Sequence, residues 1–341
     1  MASEAPPFWW DKPDWRAFAL SPLSSLYGLA AGYRMANGRR SRVDAPVLCI
    51  GNFTVGGSGK TPVSIALARQ AKRMQLKPGF LTRGHGGAAA RPHLVEPRGD
   101  SARLVGDEAL LLAEHGPVAV ARDRAAGAAL LLERGADFLI MDDGFQSARI
   151  HMDYALLVVD GRYGIGNGHV IPAGPLRAPL VNQLRFATAL LKMGEGDGAD
   201  GIVRLAARAG KPVFEAALRP RRASRLAGRR FLAFAGIGHP GKFYDTIARA
   251  GGTIALERSF PDHHVYTADE LDDLAATARA AEVDVLTTAK DAARLRHAKL
   301  PQGLADRLVV LEVDVVFDSR AAARRIIGET LEAWRRRRIS S

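Results

Sequence analysis

From Val43 onward, short runs of consecutive apolar residues alternate with stretches in which apolar positions recur every three or four residues. Runs of four to eight bounded by glycine, proline or charge read as buried strands, and the three-to-four spacing reads as helix. "VLCIGNFTV" is the first strand, and it leads into the glycine-rich "TVGGSGKTP" and then the helix "PVSIALARQAKRM". Strands follow at "KPGFLTRG", "PVAVARD", "DFLIMDDG", "YALLVVDG" and "FATALLKM", with helices at "GDEALLLAEHG" and "RAAGAALLLERG". This alternation predicts an α/β fold: a parallel sheet with helices on both faces.

The glycine-rich stretch "GEGDGADG" (194–201) interrupts the pattern. A second, smaller α/β set begins at "RRFLAFAGIG" and continues through "HPGKFYDTIARAG", "TADELDDLAATARAA" and "VDVLTTAKD". "PVFEAALRP" and "LVVLEVDVVF" flank it and are expected as connecting strands. A last helix, over 319–338, ends in "RRRR", where cations suit the helix dipole.

The first 42 residues differ from the rest. "PPFWWDKPDW" holds three of the four tryptophans. Ser21 is expected to cap a helix beginning at Pro22. Leu23, Leu26, Tyr27 and Ala30 then recur at helical spacing, and Arg34, Arg39, Arg40 and Arg42 follow. Aromatic and cationic residues on one amphipathic segment suit an anionic membrane surface; docking on the protein's own core is the alternative. The expected organisation is an amphipathic, membrane-associating helical segment (1–42), a phosphate-loop domain (43–211), a second α/β domain with its connecting strands (212–317) and a basic C-terminal helix (318–341).

Composition narrows the partners. The 341 residues are 47% hydrophobic and 25% charged, as in an ordinary globular protein. No apolar run reaches the roughly 18–20 residues that span a bilayer, and the N-terminus lacks the basic start and short apolar core of a signal peptide. The single Cys49 excludes an internal disulfide and a multi-cysteine metal site, which fits a reducing cytoplasm. A net charge of +12, from 48 Lys and Arg against 36 Asp and Glu, favours anionic partners. Nucleic acid is set aside, because the basic residues are scattered and no recognition motif is present.

The candidate chemistry begins at "TVGGSGKTP". It follows the phosphate-loop pattern except at its first position, where Thr54 replaces glycine. Gly56, Gly57 and Gly59 supply the backbone freedom to aim amides at phosphate oxygens. The expected nucleotide contacts are Thr54, Val55, Gly56, Gly57, Ser58, Gly59, Lys60 and Thr61. Lys60 is placed to reach the β/γ-phosphates and Thr61 to bind Mg²⁺. The apolar strand "FLIMDDG" ends in Asp142 and Asp143, carboxylates suited to hold or orient Mg²⁺ opposite the loop. Together these imply nucleotide binding without choosing between kinase, ATPase, GTPase and switch.

Read in order, "GNFTVGGSGKTP", "LTRGHGG", "VGDEA", "VARDR", "DDGFQ", "GNGHVIPAGPLR", "FAGIGHPGKF", "FPDHH" and "TTAKD" resemble the tetraacyldisaccharide 4'-kinases of lipid A biosynthesis. The resemblance covers about residues 15–320, and that family's phosphate loop also starts with threonine. It implies transfer of the ATP γ-phosphate to the 4'-hydroxyl of a tetraacylated disaccharide 1-phosphate at the cytoplasmic face of the inner membrane. Implied partners are ATP, Mg²⁺, the anionic glycolipid and the bilayer surface, with no obligate protein partner. Asp107 of the "GDE" stretch matches the family's catalytic base, and His263 of "FPDHH" matches its paired histidine, with His264 the second candidate.

Glu108, beside the base, is a candidate to contact metal or support the geometry. Arg83, Arg122 and Arg124 are candidates to grip ATP or the acceptor's anionic group, and Gln146 to position the acceptor or satisfy a turn. The chain departs from the family pattern at Thr82 and His85 in "TRGHGG", at Ala289 in "TTAKD" and at Ala178 in "GPLRA"; the last two replace carboxylates. The alternative is a membrane-associated nucleotide switch or partitioning protein that turns over ATP without a lipid acceptor.

Overall fold

The computed structural model describes residues 5–147 and 149–340. The first four residues of the expected N-terminal segment, and Ser341 at the end of the basic helix, lie outside the described residues.

Among the described residues there are thirteen strands: β1 (Val47–Asn52), β2 (Pro78–Thr82), β3 (His93–Leu94), β4 (Val118–Val120), β5 (Phe138–Asp142), β6 (Tyr154–Asp160), β7 (Ala189–Met193), β8 (Val213–Pro220), β9 (Arg230–Ala235), β10 (Thr253–Ser259), β11 (Asp284–Thr288), β12 (Leu308–Leu311) and β13 (Val313–Phe317). Nine make one sheet in the order β13-β8-β7-β6-β1-β5-β2-β4-β3, and four make a second in the order β10-β9-β11-β12. The large sheet is parallel except at its edge pairs, β13 with β8 and β3 with β4. The small sheet is parallel throughout.

Strand periodicity explains why β1, buried throughout, is apolar up to Asn52. Successive side chains point to opposite faces, so Leu48 and Ile50 join one core cluster while Val47 and Cys49 join the other. Helices cover both faces, and a strand buried on both sides reads as a continuous apolar run. The small sheet repeats the plan: Leu232 and Phe234 pack on one face, Phe231 and Ala233 on the other.

"LVVLEVDVVF" is not a single strand. It breaks at Glu312, so that β12 pairs with β11 in the small sheet and β13 pairs with β8 in the large one. The chain thus leaves the large sheet after β8 and returns as β13, and Arg221 N–H donates to Glu312 O at 2.9 Å where the crossings meet.

The N-terminal helix starts earlier than expected. It spans Trp15–Asn37, is capped by Asp14, and holds Pro22 in its interior. The expectation of a Ser21 cap is corrected by a hydrogen bond. Proline has no N–H for the carbonyl four residues back, and the Ser21 hydroxyl donates to that carbonyl, Phe18 O, at 2.7 Å. One face of this helix (Ala17, Ser24, Gly28, Ala31, Met35) is buried on the protein and, apart from Met35, small. Trp15, Phe18, Leu26, Leu29 and Tyr33 are exposed.

Candidate active site

The carboxyl end of β1 runs into the glycine loop, which delivers the chain to the helix Lys60–Arg73. Thr54 does not need glycine's freedom, because Gly56 (φ 99°) and Gly59 (φ 85°) take the left-handed angles. Thr54 O is instead fixed from two sides, by Asn52 Nδ2 at 2.6 Å and Arg177 Nε at 2.9 Å, while Val55 N–H donates to Pro175 O at 2.9 Å. The buried Ser58 hydroxyl has no hydrogen-bond partner in the protein. In a loop of this shape, a phosphate oxygen satisfies such an orphan group.

Lys60 and Thr61, at the start of that helix, are buried against the end of β5. Lys60 Nζ lies 3.7 Å from Asp143 Oδ2. Burial lowers its pKa, partly offset by Asp143. Thr61 Oγ1 and Ser64 Oγ donate to Asp142 at 3.1 and 3.0 Å. Burial, together with the nearby Glu108 charge, pushes the Asp142 carboxyl up to about 7. Asp143, with φ 54°, turns its carboxylate to Arg177, which binds it through both terminal nitrogens at 2.6 and 3.1 Å. Burial works against its ionisation, but Lys60 and Arg177 outweigh that and hold it well below the usual carboxylate range.

Asp107 opens the helix Asp107–Ala113, directly after Gly106 (φ 87°). A Cβ on Gly106 would sit 2.6 Å from His85 O, so the chain enters this helix tightly against the loop that follows β2. Asp107 Oδ1 accepts the Glu108 N–H at 2.8 Å, and Oδ2 faces His263 Nδ1 at 3.1 Å. Oδ2 also accepts from Arg294, with Nε at 2.8 Å. Burial alone would raise the Asp107 pKa, but the His263 hydrogen bond and the Lys290 and Arg294 charges hold it far below the ordinary value. The same hydrogen bond raises the His263 imidazole against the effect of its burial.

Glu108 pairs with Lys290, and its charge also acts on Lys60 and Asp142, which links the Asp107–Glu108 pair electrostatically to the loop. His264 is held elsewhere, by Glu270 at 2.9 Å, inside the capping box of the helix Ala268–Ala280. Above the loop, the rings of Tyr163 and His239 stack at 4.8 Å and Trp10 packs against both. With Lys242 and Asp160 these residues wall a small cavity over Thr54–Ser58.

The remaining candidates are dispersed. Arg83 and Arg122 are exposed. Arg124 is buried, donates to Ala121 O and leaves its Nε without a partner; burial lowers its pKa to about 10. Gln146 donates to Asn52 O at 2.7 Å and Gln183 Oε1 at 3.0 Å, tying the turn after β5 to the end of β1.

Arg177, Lys290 and Arg294 were not legible as site residues. The first two lie inside quoted motifs, but their carboxylate partners are distant in sequence. For Arg294 the signal is helical: it follows the buried Asp291 by three residues, a spacing that places both on one helix face.

The site therefore joins a glycine loop with an unpartnered buried hydroxyl, a buried carboxylate beside hydroxyls, and a carboxylate–imidazole pair contributed by a helix of the large-sheet domain and a loop of the small one. Asp142 and Thr61 fit a divalent cation: they are adjacent, buried and oxygen-bearing. Among the described residues, no group of three or more His, Cys, Asp or Glu has metal-site geometry, so such an ion would complete its shell with nucleotide oxygens and water.

Comparison with known proteins gives consistent matches. The family model described as tetraacyldisaccharide-1-P 4'-kinase (LpxK) matches residues 16–332. A tetraacyldisaccharide 4'-kinase of Mesorhizobium japonicum is 65% identical over 342 residues, covering 100% of both chains. One of Brucella anthropi is 53% identical over 99% of both. Among solved structures, the "apo" form of LpxK from Aquifex aeolicus in complex with ATP superimposes with a TM-score of 0.71 at 26% identity, covering 92% of this chain and 99% of that one.

Proposed function

Because the chain belongs to the tetraacyldisaccharide-1-P 4'-kinase family, we propose how its own residues divide the work of that reaction. The protein is an ATP-dependent kinase that phosphorylates the 4'-hydroxyl of a tetraacylated glucosamine disaccharide 1-phosphate in lipid A biosynthesis. Phosphoryl transfer needs positioning and charge neutralisation more than covalent chemistry by the protein. The amides of Gly56–Thr61 and the Lys60 ammonium hold the triphosphate. Asp107 accepts the proton of the 4'-hydroxyl as its oxygen bonds to the γ-phosphorus and the bond to ADP breaks. His263 comes from the loop after β10 of the small sheet, so the pair is complete only when that sheet's domain closes on the large sheet.

Thr61 and Asp142 would hold Mg²⁺, which would supply charge neutralisation at the phosphates. Arg177 keeps Asp143 ionised next to Lys60, maintaining the balance of charge at the loop. The exposed Arg83 and Arg122 offer positive charge to an anionic acceptor, whereas the buried Arg124 is held by Ala121 O.

The exposed face of the helix Trp15–Asn37 supports docking at the cytoplasmic face of the inner membrane. Its large apolar side chains point outward while its small residues dock on the protein, and amphipathic helices of this kind lie in the interface. Among the described residues no helix is long and apolar enough to cross a membrane, consistent with peripheral attachment.

The observation that carries the catalytic assignment is the 3.1 Å approach of His263 Nδ1 to Asp107 Oδ2. Phosphate transfer measured with ATP and the glycolipid acceptor, then with ATP alone, tests it together with the Asp107→Asn variant. Acceptor-dependent product that collapses in the variant is expected. Hydrolysis indifferent to the acceptor would instead select a nucleotide switch.

A further inference from the structure

Arg294 lies in the helix Ala289–Leu295, which follows β11 of the small sheet, and its side chain is only 6% exposed. Its guanidinium faces two ways. Nε, at 2.8 Å, and one terminal nitrogen bind Asp107 Oδ2 across the gap to the large sheet. The other terminal nitrogen is anchored at home, to Gly236 O at 2.5 Å and to Asp291 Oδ1 at 2.6 Å. Asp291 is fully buried and itself fixed, receiving the Tyr266 hydroxyl at 2.8 Å, the Thr288 hydroxyl at 2.6 Å and the Gly236 N–H at 3.2 Å. The fork therefore transmits a rigid position from the small sheet to a single oxygen of the large-sheet carboxylate.

Building on the assignment of Asp107 as proton acceptor, we propose that Arg294 is a positioning residue for the kinase reaction. It locks Oδ2 of Asp107 in place as the small-sheet domain closes and leaves Oδ1 directed by the Glu108 amide. An imidazole alone cannot do this. His263 reaches the same oxygen through one nitrogen and stands on a loop, at φ 59°, whereas the guanidinium approaches in a plane with donors on two of its edges. Lysine cannot replace it, since one ammonium does not span Asp107, Gly236 O and Asp291 in this geometry. The nearby charged groups complete the setting: His263 and Asp262 from the loop after β10, Lys290 and Asp291 from Arg294's own helix, and Glu108 beside the carboxylate.

The test is a double-mutant cycle in the full-length enzyme, with kcat and the KM values for ATP and the glycolipid measured for Arg294→Ala, Arg294→Lys, Asp107→Asn and the double variant. Misplacing a reacting group by an ångström costs about 100-fold, and a loss of that order in kcat is expected for Arg294→Ala. Its KM for ATP should stay within about threefold of wild type, because the phosphate loop is untouched. Added guanidinium ion should restore part of the lost rate, and Arg294→Lys should fall short of the wild type.

In the Asp107→Asn background, removing Arg294 should cost little more, since the carboxylate it positions is already gone. Losses that multiply in the double variant, or an Arg294→Ala variant that keeps its kcat, would overturn the inference while leaving Asp107 as the base. Normal turnover by Asp107→Asn alone would remove the base assignment and the inference with it.

Discussion

His263 Nδ1, on the loop after β10 of the small sheet, lies 3.1 Å from Asp107 Oδ2, at the start of a helix packed on the large sheet, across 156 residues of sequence. Each partner shifts the other toward its charged form. Asp107 is held below its ordinary pKa and His263 above its own. Asp107's contribution to stability is present above about pH 3.9 and fades as pH falls below it, toward the folded value. His263's contribution is present below about pH 6.5 and is lost as pH rises through the raised folded value. The difference in Tm between wild type and His263→Ala should therefore be full near pH 5 and shrink as pH climbs above about 6.5. A difference that grows at alkaline pH would contradict this pairing.

Activity gives an independent reading of the same histidine. His263→Ala should lower kcat by about 100-fold, the lower end of general acid–base effects, and leave the KM for ATP near wild type. A raised KM for ATP with unchanged kcat would place His263 at the nucleotide.

Lys60 sits between the loop and Asp143. Lys60→Ala removes the cation facing the phosphates and leaves Asp143 with Arg177. Turnover should drop by at least about 100-fold, the scale of losing one electrostatic stabiliser, and fluorescent-nucleotide binding should weaken. Near-normal turnover would remove the phosphate-loop assignment.

Gly106 is a point where backbone shape controls chemistry. With φ at 87° and His85 O at 2.6 Å from a Cβ placed there, Gly106→Ala forces the start of the Asp107 helix to move. A destabilisation of about 1–3 kcal/mol is expected, read by denaturant unfolding, with a fall in kcat because Asp107 is the next residue. Unchanged stability and rate would mean the loop after β2 yields freely.

The outward face of the helix Trp15–Asn37 predicts a separable defect. Phe18, Leu26 and Leu29 are 63%, 68% and 72% exposed, so changing each to Ser should alter stability by roughly 0.5 kcal/mol or less per site. Co-sedimentation with anionic-lipid vesicles should fall several-fold. Retained sedimentation would assign membrane contact elsewhere.

The local pattern determined a great deal. Apolar runs marked most strands of both sheets, because a strand buried on two faces has no room for polar residues; the two-residue β3 and the largely exposed β10 carry no such run. Glycines before Lys60 marked the phosphate loop, since only certain backbones can turn amides inward. Asp142 at the end of an apolar strand, and Asp107 and His263 through the motif resemblance, were also readable before any coordinates. Other features were decided only in three dimensions. The break of "LVVLEVDVVF" at Glu312 depends on which sheet each half meets. The helix that continues through Pro22 depends on the Ser21 hydroxyl reaching Phe18 O. Arg177 on Asp143 and Arg294 on Asp107 are pairs set by folding, because a charged side chain carries no mark of its partner until the chain brings the two together and excludes water from both.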